Sequence, residues 1–282
     1  MKLFPYQEDG VRHLTSSLPA SYLADKPGLG KTLQAITAAT QLGAQSLLIL
    51  CPAAIVSQWQ AHVKSWGNRA RVVSYDSIAM SRFSKKNKTA LIAATEEVEY
   101  LRANARPREL DWKDALTAAT KRVTALSAVR LRKAKAAALR ESIREGGPYD
   151  VIICDEAHQL KERTSNRTGF VFHPTYGLRA LGKKILLLSG TPMLNRPAEL
   201  YPVLRACYPQ ALFDCPNFEA YAYKFCDPQW GFNGSTNYNG SSNEAELGKR
   251  LQGFMLMRGV EVLGDRLPTV QYRDQRDRKS VV

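Results

Sequence analysis

Asp25-Lys26-Pro27-Gly28-Leu29-Gly30-Lys31-Thr32 lies between an apolar run, Ser21-Tyr22-Leu23-Ala24, and a stretch with helical spacing, Leu33-Gln34-Ala35-Ile36-Thr37-Ala38-Ala39. That order predicts a strand feeding a phosphate-cradling loop, which in turn opens a helix. Gly28 and Gly30 suit such a loop because its amides must converge on phosphate oxygens, with backbone angles and closeness that a Cβ would block. Lys31 brings a point charge toward the β and γ phosphates. Thr32 offers its hydroxyl to Mg²⁺, a hard cation that holds few protein ligands and keeps several waters. Asp25 stands where this loop pattern usually has glycine, so the loop alone is weak evidence for a nucleoside triphosphate site.

A second signal lies far downstream. Tyr149-Asp150-Val151-Ile152-Ile153-Cys154 reads as a buried strand and runs into Asp155-Glu156-Ala157-His158. An acidic pair at a strand's carboxyl end is where the second Mg²⁺ contact and the water-orienting group of such a site belong. Asp155 is assigned to the metal and its water shell, and Glu156 to the attacking water. The competing interpretation is that both acids cap the next helix.

The chain has 282 residues, 44% of them hydrophobic, enough to bury a substantial core and to exclude a disordered or fibrous chain. Forty Lys and Arg against 26 Asp and Glu give a net charge of +14, which points to a polyanionic partner, nucleic acid before membrane. The N-terminus turns polar too early for a signal peptide, and no run approaches the roughly 18 apolar residues of a membrane span. A soluble, cytoplasmic protein is expected. Cys51, Cys154, Cys207, Cys215 and Cys226 contain no C-x-x-C pair, so neither zinc nor disulfides are expected.

Short apolar runs at Ser21 to Asp25, Ser46 to Cys51, Arg71 to Tyr75, Val151 to Asp155 and Lys184 to Ser189 predict buried parallel strands separated by helices, an α/β fold. Ligands of such sheets sit beyond the carboxyl ends of the strands, where both phosphate motifs fall. Between the third and fourth strands, Ser84 to Pro148 is rich in Ala, Lys, Arg and Glu and predicts two or three long helices broken near Pro107. This block carries 15 Lys and Arg against 8 Asp and Glu. Its stretch Arg130-Leu131-Arg132-Lys133-Ala134-Lys135 either tracks a phosphate backbone or forms an ordinary solvated helix face. From Tyr208 onward the chain is aromatic-rich helix and loop, with a surface loop at Gly231 to Ser242.

In their order, these motifs resemble the first motor half of a superfamily 2 helicase-type ATPase of the SWI/SNF branch. Phe4-Pro5-Tyr6-Gln7 resembles the adenine-sensing segment, which implies that Gln7 reads the base edge. Ala24-Asp25-x-x-Gly28-Leu29-Gly30-Lys31-Thr32 is similar to this branch's own variant of the phosphate loop. Leu50-Cys51-Pro52 with Ser57-Gln58-Trp59, and Ser74-Tyr75-Asp76, resemble two DNA-backbone motifs, although Ala53 and Ala54 replace small polar residues common after that proline. Leu188-Ser189-Gly190-Thr191-Pro192-Met193-x-Asn195 resembles the segment that couples nucleotide state to nucleic-acid grip, toward which His158 is expected to hydrogen-bond. Glu199-Leu200-Tyr201, Phe225-Cys226-Asp227, Met257-Arg258 and Leu267-Pro268 look like the annealing-helicase subgroup. The basic insertion is atypical of that subgroup and suggests a bacterial or phage relative.

The resemblance implies a RecA-like P-loop NTPase domain over residues 1–206 with a helical insertion at 84–148, a family-specific helical extension at 207–268, and a tail at 269–282. It also implies ATP and Mg²⁺ as ligands, DNA gripped mainly through phosphate, and a second RecA-like domain whose arginines reach the γ-phosphate. Nothing after Pro268 could supply that domain, so weak hydrolysis is expected from these residues alone. Asp277-Arg278-Lys279-Ser280-Val281-Val282 resembles a translated sequencing adapter, which suggests a truncated gene with an artefactual end. The leading expectation is half of a DNA-dependent ATPase or translocase. A non-catalytic ATP- and DNA-binding module, and the motor subunit of a restriction or defence system, share every motif.

Overall fold

Continuous apolar runs form strands here because both faces of the sheet are covered. Along Leu47–Cys51, Leu48 and Leu50 enter one core, while Leu47, Ile49 and Cys51 enter the other. The computed structural model describes residues 2–79, 85–104, 110–191, 196–230 and 234–266. The chain runs through α1 (Pro5–Leu14) into β1 (Ala20–Leu23), crosses by α2 (Lys31–Gln41) to β2 (Leu47–Cys51), and continues by α3 (Val56–His62) to β3 (Ala70–Ser74) and the single turn α4 (Tyr75–Ile78). Two long helices follow, α5 (Lys85–Ala103) and α6 (Leu110–Glu145), then β4 (Tyr149–Cys154), α7 (Asn166–Phe172) and β5 (Gly182–Leu188). The remainder comprises α8 (Tyr201–Cys207), α9 (Phe218–Phe225), a hairpin of β6 (Gln229–Trp230) and β7 (Thr236–Asn237), α10 (Glu244–Leu251) and β8 (Met255–Leu256).

Six strands pair in the order β3-β2-β4-β5-β1-β8, every pair parallel, and helices flank the sheet. This is the expected α/β architecture, with each of the five expected strands within a residue or two of its bounds. Register aligns the strand ends. Leu23 lies opposite Leu188, Cys154 opposite Leu187, and Leu50 opposite Cys154. The segments after β1, β2, β4 and β5 therefore emerge along one rim. The chain passes from β1 over β5 and β4 to reach β2, and such reversals of strand order open a crevice at the carboxyl ends.

The insertion is a helical pair: α5 and α6 pack against each other. The expected break near Pro107 lies outside the described residues. At its base α6 is anchored to the sheet domain. Arg71 donates to the Ser142 carbonyl at 2.7 Å and to its hydroxyl at 2.8 Å, and the Arg140 and Arg144 guanidinium groups lie 5.4 and 5.1 Å from the Phe170 ring centre. Farther along, Arg130, Arg132 and Lys135 are exposed and Lys133 is half-buried.

The stretch after Tyr208 holds the expected helices, α9 and α10, and also three short strands that the sequence pattern does not announce: the β6–β7 pair, of which β7 falls within the expected loop, and β8. β8 adds to the edge of the sheet beside β1. Phe254, just before it, is fully buried, stacks on Tyr208 at 4.7 Å and meets Tyr22 of β1 edge-on at 6.3 Å. The extension thus shares one core with the sheet. All five cysteines are buried free thiols. No described helix is long and apolar enough to cross a membrane. The tail beyond Arg266, including Asp277 to Val282, lies outside the described residues.

Candidate functional site

The loop between β1 and α2 turns sharply because two glycines adopt left-handed angles, Gly28 at φ 88° and Gly30 at φ 73°. Side chains other than Gly rarely take these angles. Lys26, Pro27 and Gly28 are exposed, and a Cβ on Gly28 would meet no atom within 4 Å, so the loop's outer face opens on free space. Lys31 opens α2 and folds its ammonium back onto the loop, donating to the Asp25 carbonyl at 2.8 Å and the Lys26 carbonyl at 3.3 Å. Burial lowers its pKa against the opposing pull of Glu156, Asp25 and Asp155. Thr32 follows, half-buried, in the first turn. Leu29 and Asp25 are fully buried beneath the loop. Gln7 is 6% exposed; its amide accepts from the Phe4 N–H at 3.1 Å and donates to the Leu29 carbonyl at 3.4 Å, so in this structure it props the phosphate loop from below. A Cβ on Gly30 would fall 2.6 Å from the Gln7 amide nitrogen, a second reason for glycine there.

Asp155 and Glu156 leave the end of β4 on the same rim. The Asp155 carboxylate, 7% exposed, accepts from the Trp59 indole N–H at 2.7 Å and from the Glu156 amide at 2.9 Å, while its carbonyl accepts from the Tyr75 hydroxyl at 2.9 Å. Burial raises its pKa, against the opposing pull of the two hydrogen bonds. Glu156 sits at φ 48°, ψ 53°, a left-handed conformation that strains a residue bearing a Cβ. The donor set fits a magnesium nucleotide. It comprises an ammonium, a hydroxyl and two carboxylates around a glycine loop open to space, with few protein ligands for a cation that retains water. Among the described residues no cluster of three or more His, Cys, Asp or Glu could instead cage a metal.

Trp59 lies in a segment read from the sequence only for its likeness to a DNA-backbone motif. A fully buried indole needs an acceptor, which could have flagged it, but nothing local reveals a partner 96 positions away. Trp59→Phe removes a hydrogen bond to a charged acceptor and leaves a gap in a packed core, and is expected to cost about 2 to 4 kcal/mol of stability, read by urea denaturation.

The residues expected from the resemblance to couple nucleotide and nucleic acid converge on the acidic pair. His158 Nδ1 lies 3.1 Å from a Glu156 carboxylate oxygen, 3.2 Å from the Ser189 hydroxyl and 3.4 Å from the Thr191 hydroxyl. Gly190 passes under the phosphate loop, where a Cβ would fall 3.0 Å from Pro27 Cγ and 3.5 Å from Lys31 Nζ. One short segment after β5 thus touches both halves of the site. Pro192 to Asn195 lie outside the described residues. Pro52 is half-buried after β2, on the same rim. Ser74 caps α4, its hydroxyl accepting from the Ser77 N–H at 3.2 Å, and is not joined to the nucleotide residues.

A protein-family model, the SNF2-related domain, matches residues 6–273. The SWI/SNF-related matrix-associated actin-dependent regulator of chromatin subfamily A-like protein 1 of Xenopus tropicalis is 29% identical over 275 residues, 95% of this chain and 24% of that protein. The human DNA annealing helicase and endonuclease ZRANB3 is 26% identical over 283 residues, 96% of this chain and 22% of that protein. This chain therefore spans about a quarter of the length of such relatives. A solved structure described as the Sulfolobus solfataricus SWI2/SNF2 ATPase core in complex with dsDNA matches the fold with a TM-score of 0.53 at 17% identity, covering 94% of this chain and 46% of that one. The matched residues take in the phosphate loop, the acidic pair and β8, and the chain belongs to the SNF2-related domain family of helicase-like ATPases.

Proposed function

We propose that this chain is the ATP-binding motor domain of a DNA-dependent ATPase, in which hydrolysis drives movement on DNA or its remodelling. The observation that carries this reading is geometric. The short segment after β5 lies against Lys31 at the start of α2, where a Cβ on Gly190 would fall 3.5 Å from its Nζ. Through Ser189 and Thr191 it also meets the His158 that contacts Glu156 at the end of β4, so loop cation and acidic pair face one crevice. On this reading the loop amides and Lys31 hold the triphosphate, and Lys31 leaves the Asp25 and Lys26 carbonyls to do so. Gln7 turns from Leu29 to the adenine edge. Thr32 and Asp155 hold Mg²⁺, which when bound offsets charge on the phosphate oxygens. Glu156 orients the attacking water and accepts its proton, and catalysis is chiefly positioning and charge stabilisation. Full turnover also needs arginines from a second RecA-like domain, an arrangement worth about 10³ to 10⁵ in other phosphoryl-transfer enzymes.

Nucleotide state is passed on through His158, whose Nδ1 lies within reach of Glu156, Ser189 and Thr191 at once. DNA contacts are placed along the rim at Pro52 and Ser74 and on the exposed basic face of α6. They are mainly to phosphate, giving salt-sensitive and sequence-tolerant binding. The net charge, and relatives whose names carry DNA annealing and DNA repair, support that partner. Replacing Arg130, Arg132, Lys133 and Lys135 with Gln is expected to flatten the dependence of log affinity on log salt by about 0.9 for each phosphate no longer neutralised. An unchanged slope in a duplex-binding titration removes α6 from the interface. The reading as a whole is tested by duplex-stimulated phosphate release, which is expected to fall by about 10² to 10⁴ in Glu156→Gln.

A further inference from the structure

Asp25 is a carboxylate under a loop meant for anions, and it is fully buried. Its partner comes from the far end of the chain. Arg258 grips both oxygens, Nε on Oδ1 at 2.9 Å and Nη2 on Oδ2 at 2.6 Å, a fork-to-fork pairing. The same guanidinium donates to the Tyr6 carbonyl and, at 3.1 Å, to Gln34 Oε1, and its centre lies 5.7 Å from the Tyr6 ring centre. Gln34 in turn donates to the Leu29 carbonyl at 3.0 Å, the carbonyl that Gln7 also reaches. The backbone repeats the link. Hydrogen bonds run from Tyr22 N to Phe254 O at 2.8 Å and from Ala24 N to Leu256 O at 2.7 Å, and then, beyond both strands, from Lys26 N to Arg258 O at 2.9 Å.

The edge ladder therefore extends into the phosphate loop. Asp25 and Lys26, the residues held by Arg258, are also those whose carbonyls receive Lys31. Gly10 of α1 leaves room for the network, since a Cβ there would fall 1.7 Å from Gln34 Oε1 and 2.7 Å from Arg258 Nη2.

We infer that Arg258 is a positioning residue for the nucleotide: through Asp25 and Gln34 it fixes the shape of the phosphate loop, so that ATP affinity is set from the C-terminal extension. The inference rests on the ATP reading above. It also explains why Asp25 replaces the usual glycine: a carboxylate at that position gives the extension a handle on the loop. Arg258 touches no substrate atom in this account.

Arg258→Lys keeps the charge and loses the fork, and Asp25→Asn keeps the shape and loses the charge. Gly10→Ala disturbs the same network without altering either partner. Each variant is expected to weaken Mg-ATP binding, measured by calorimetry, about 10-fold or more, as loss of a group supporting a binding residue does elsewhere. Amide hydrogen exchange should speed up at residues 24 to 31 and stay unchanged in β2 and β4. Unchanged ATP affinity in both Arg258→Lys and Asp25→Asn overturns the inference, as does faster exchange spread over the whole sheet, which marks a general structural role. Exchange also separates the two claims. Wild-type protein that binds no nucleotide refutes the ATP reading, whereas the hold of Arg258 on the loop still stands or falls on the local exchange at residues 24 to 31.

Discussion

Lys31→Ala loses ATP binding by at least about 100-fold, equivalent to roughly 3 kcal/mol, because a charge-assisted hydrogen bond to phosphate contributes about 1.5 to 3 kcal/mol and the lysine can make more than one. The fold should survive the change. The lysine is half-buried, and the bonds it makes in this structure are to two backbone carbonyls of its own loop, those of Asp25 and Lys26. Far-UV circular dichroism and a urea midpoint close to wild type, alongside the loss of nucleotide binding, separate a site effect from unfolding. The sign follows from the environment. Burial already works against the charged form of Lys31, and three carboxylates oppose that effect, so the ammonium is held in the crevice at some cost and is available to an anion.

Glu156→Gln has the opposite profile. The amide keeps the size and the hydrogen-bonding shape of the side chain, so ATP affinity should stay within about threefold, while turnover falls by about 10² to 10⁴ because the group that accepts the water's proton is gone. The left-handed backbone at Glu156 aims this side chain at His158, and the strain of that conformation is retained in the variant. Removing the negative charge also loosens the Glu156 to His158 contact. Duplex-dependent changes in nucleotide affinity should therefore weaken along with turnover. Phosphate release under single-turnover conditions, compared with equilibrium binding of the same nucleotide, distinguishes the two effects.

The strands were legible because a parallel strand covered on both faces is an unbroken apolar run, and Leu47 to Cys51 or Ile185 to Leu188 can hardly be read otherwise. The phosphate loop was legible because its geometry is local, with glycines at positive φ followed by the lysine that opens the helix. β8 was not. Met255 and Leu256 carry no periodicity of their own, and their strand conformation comes from pairing with Tyr22 and Leu23 at an edge made by the rest of the fold. The same limit hid the partners of the two buried carboxylates. Asp155 meets Trp59, and Asp25 meets Arg258, 233 positions away, through contacts that only the assembled sheet creates. Gln7 was expected to face an adenine, and here its amide faces Leu29, because in this structure a carbonyl of the phosphate loop lies within reach of the same donor. Charge in α6 was legible, but its use was not, since an exposed basic helix face looks the same whether or not it meets a phosphate backbone.

Calorimetric titration of the wild-type chain and of Lys31→Ala with ATP, each with and without magnesium, tests the central claim most directly. The account predicts one magnesium-dependent site per wild-type chain, competed by ADP and absent in Lys31→Ala. Equal affinity in the two proteins would place any nucleotide binding outside the loop at Gly28 to Thr32 and contradict the assignment.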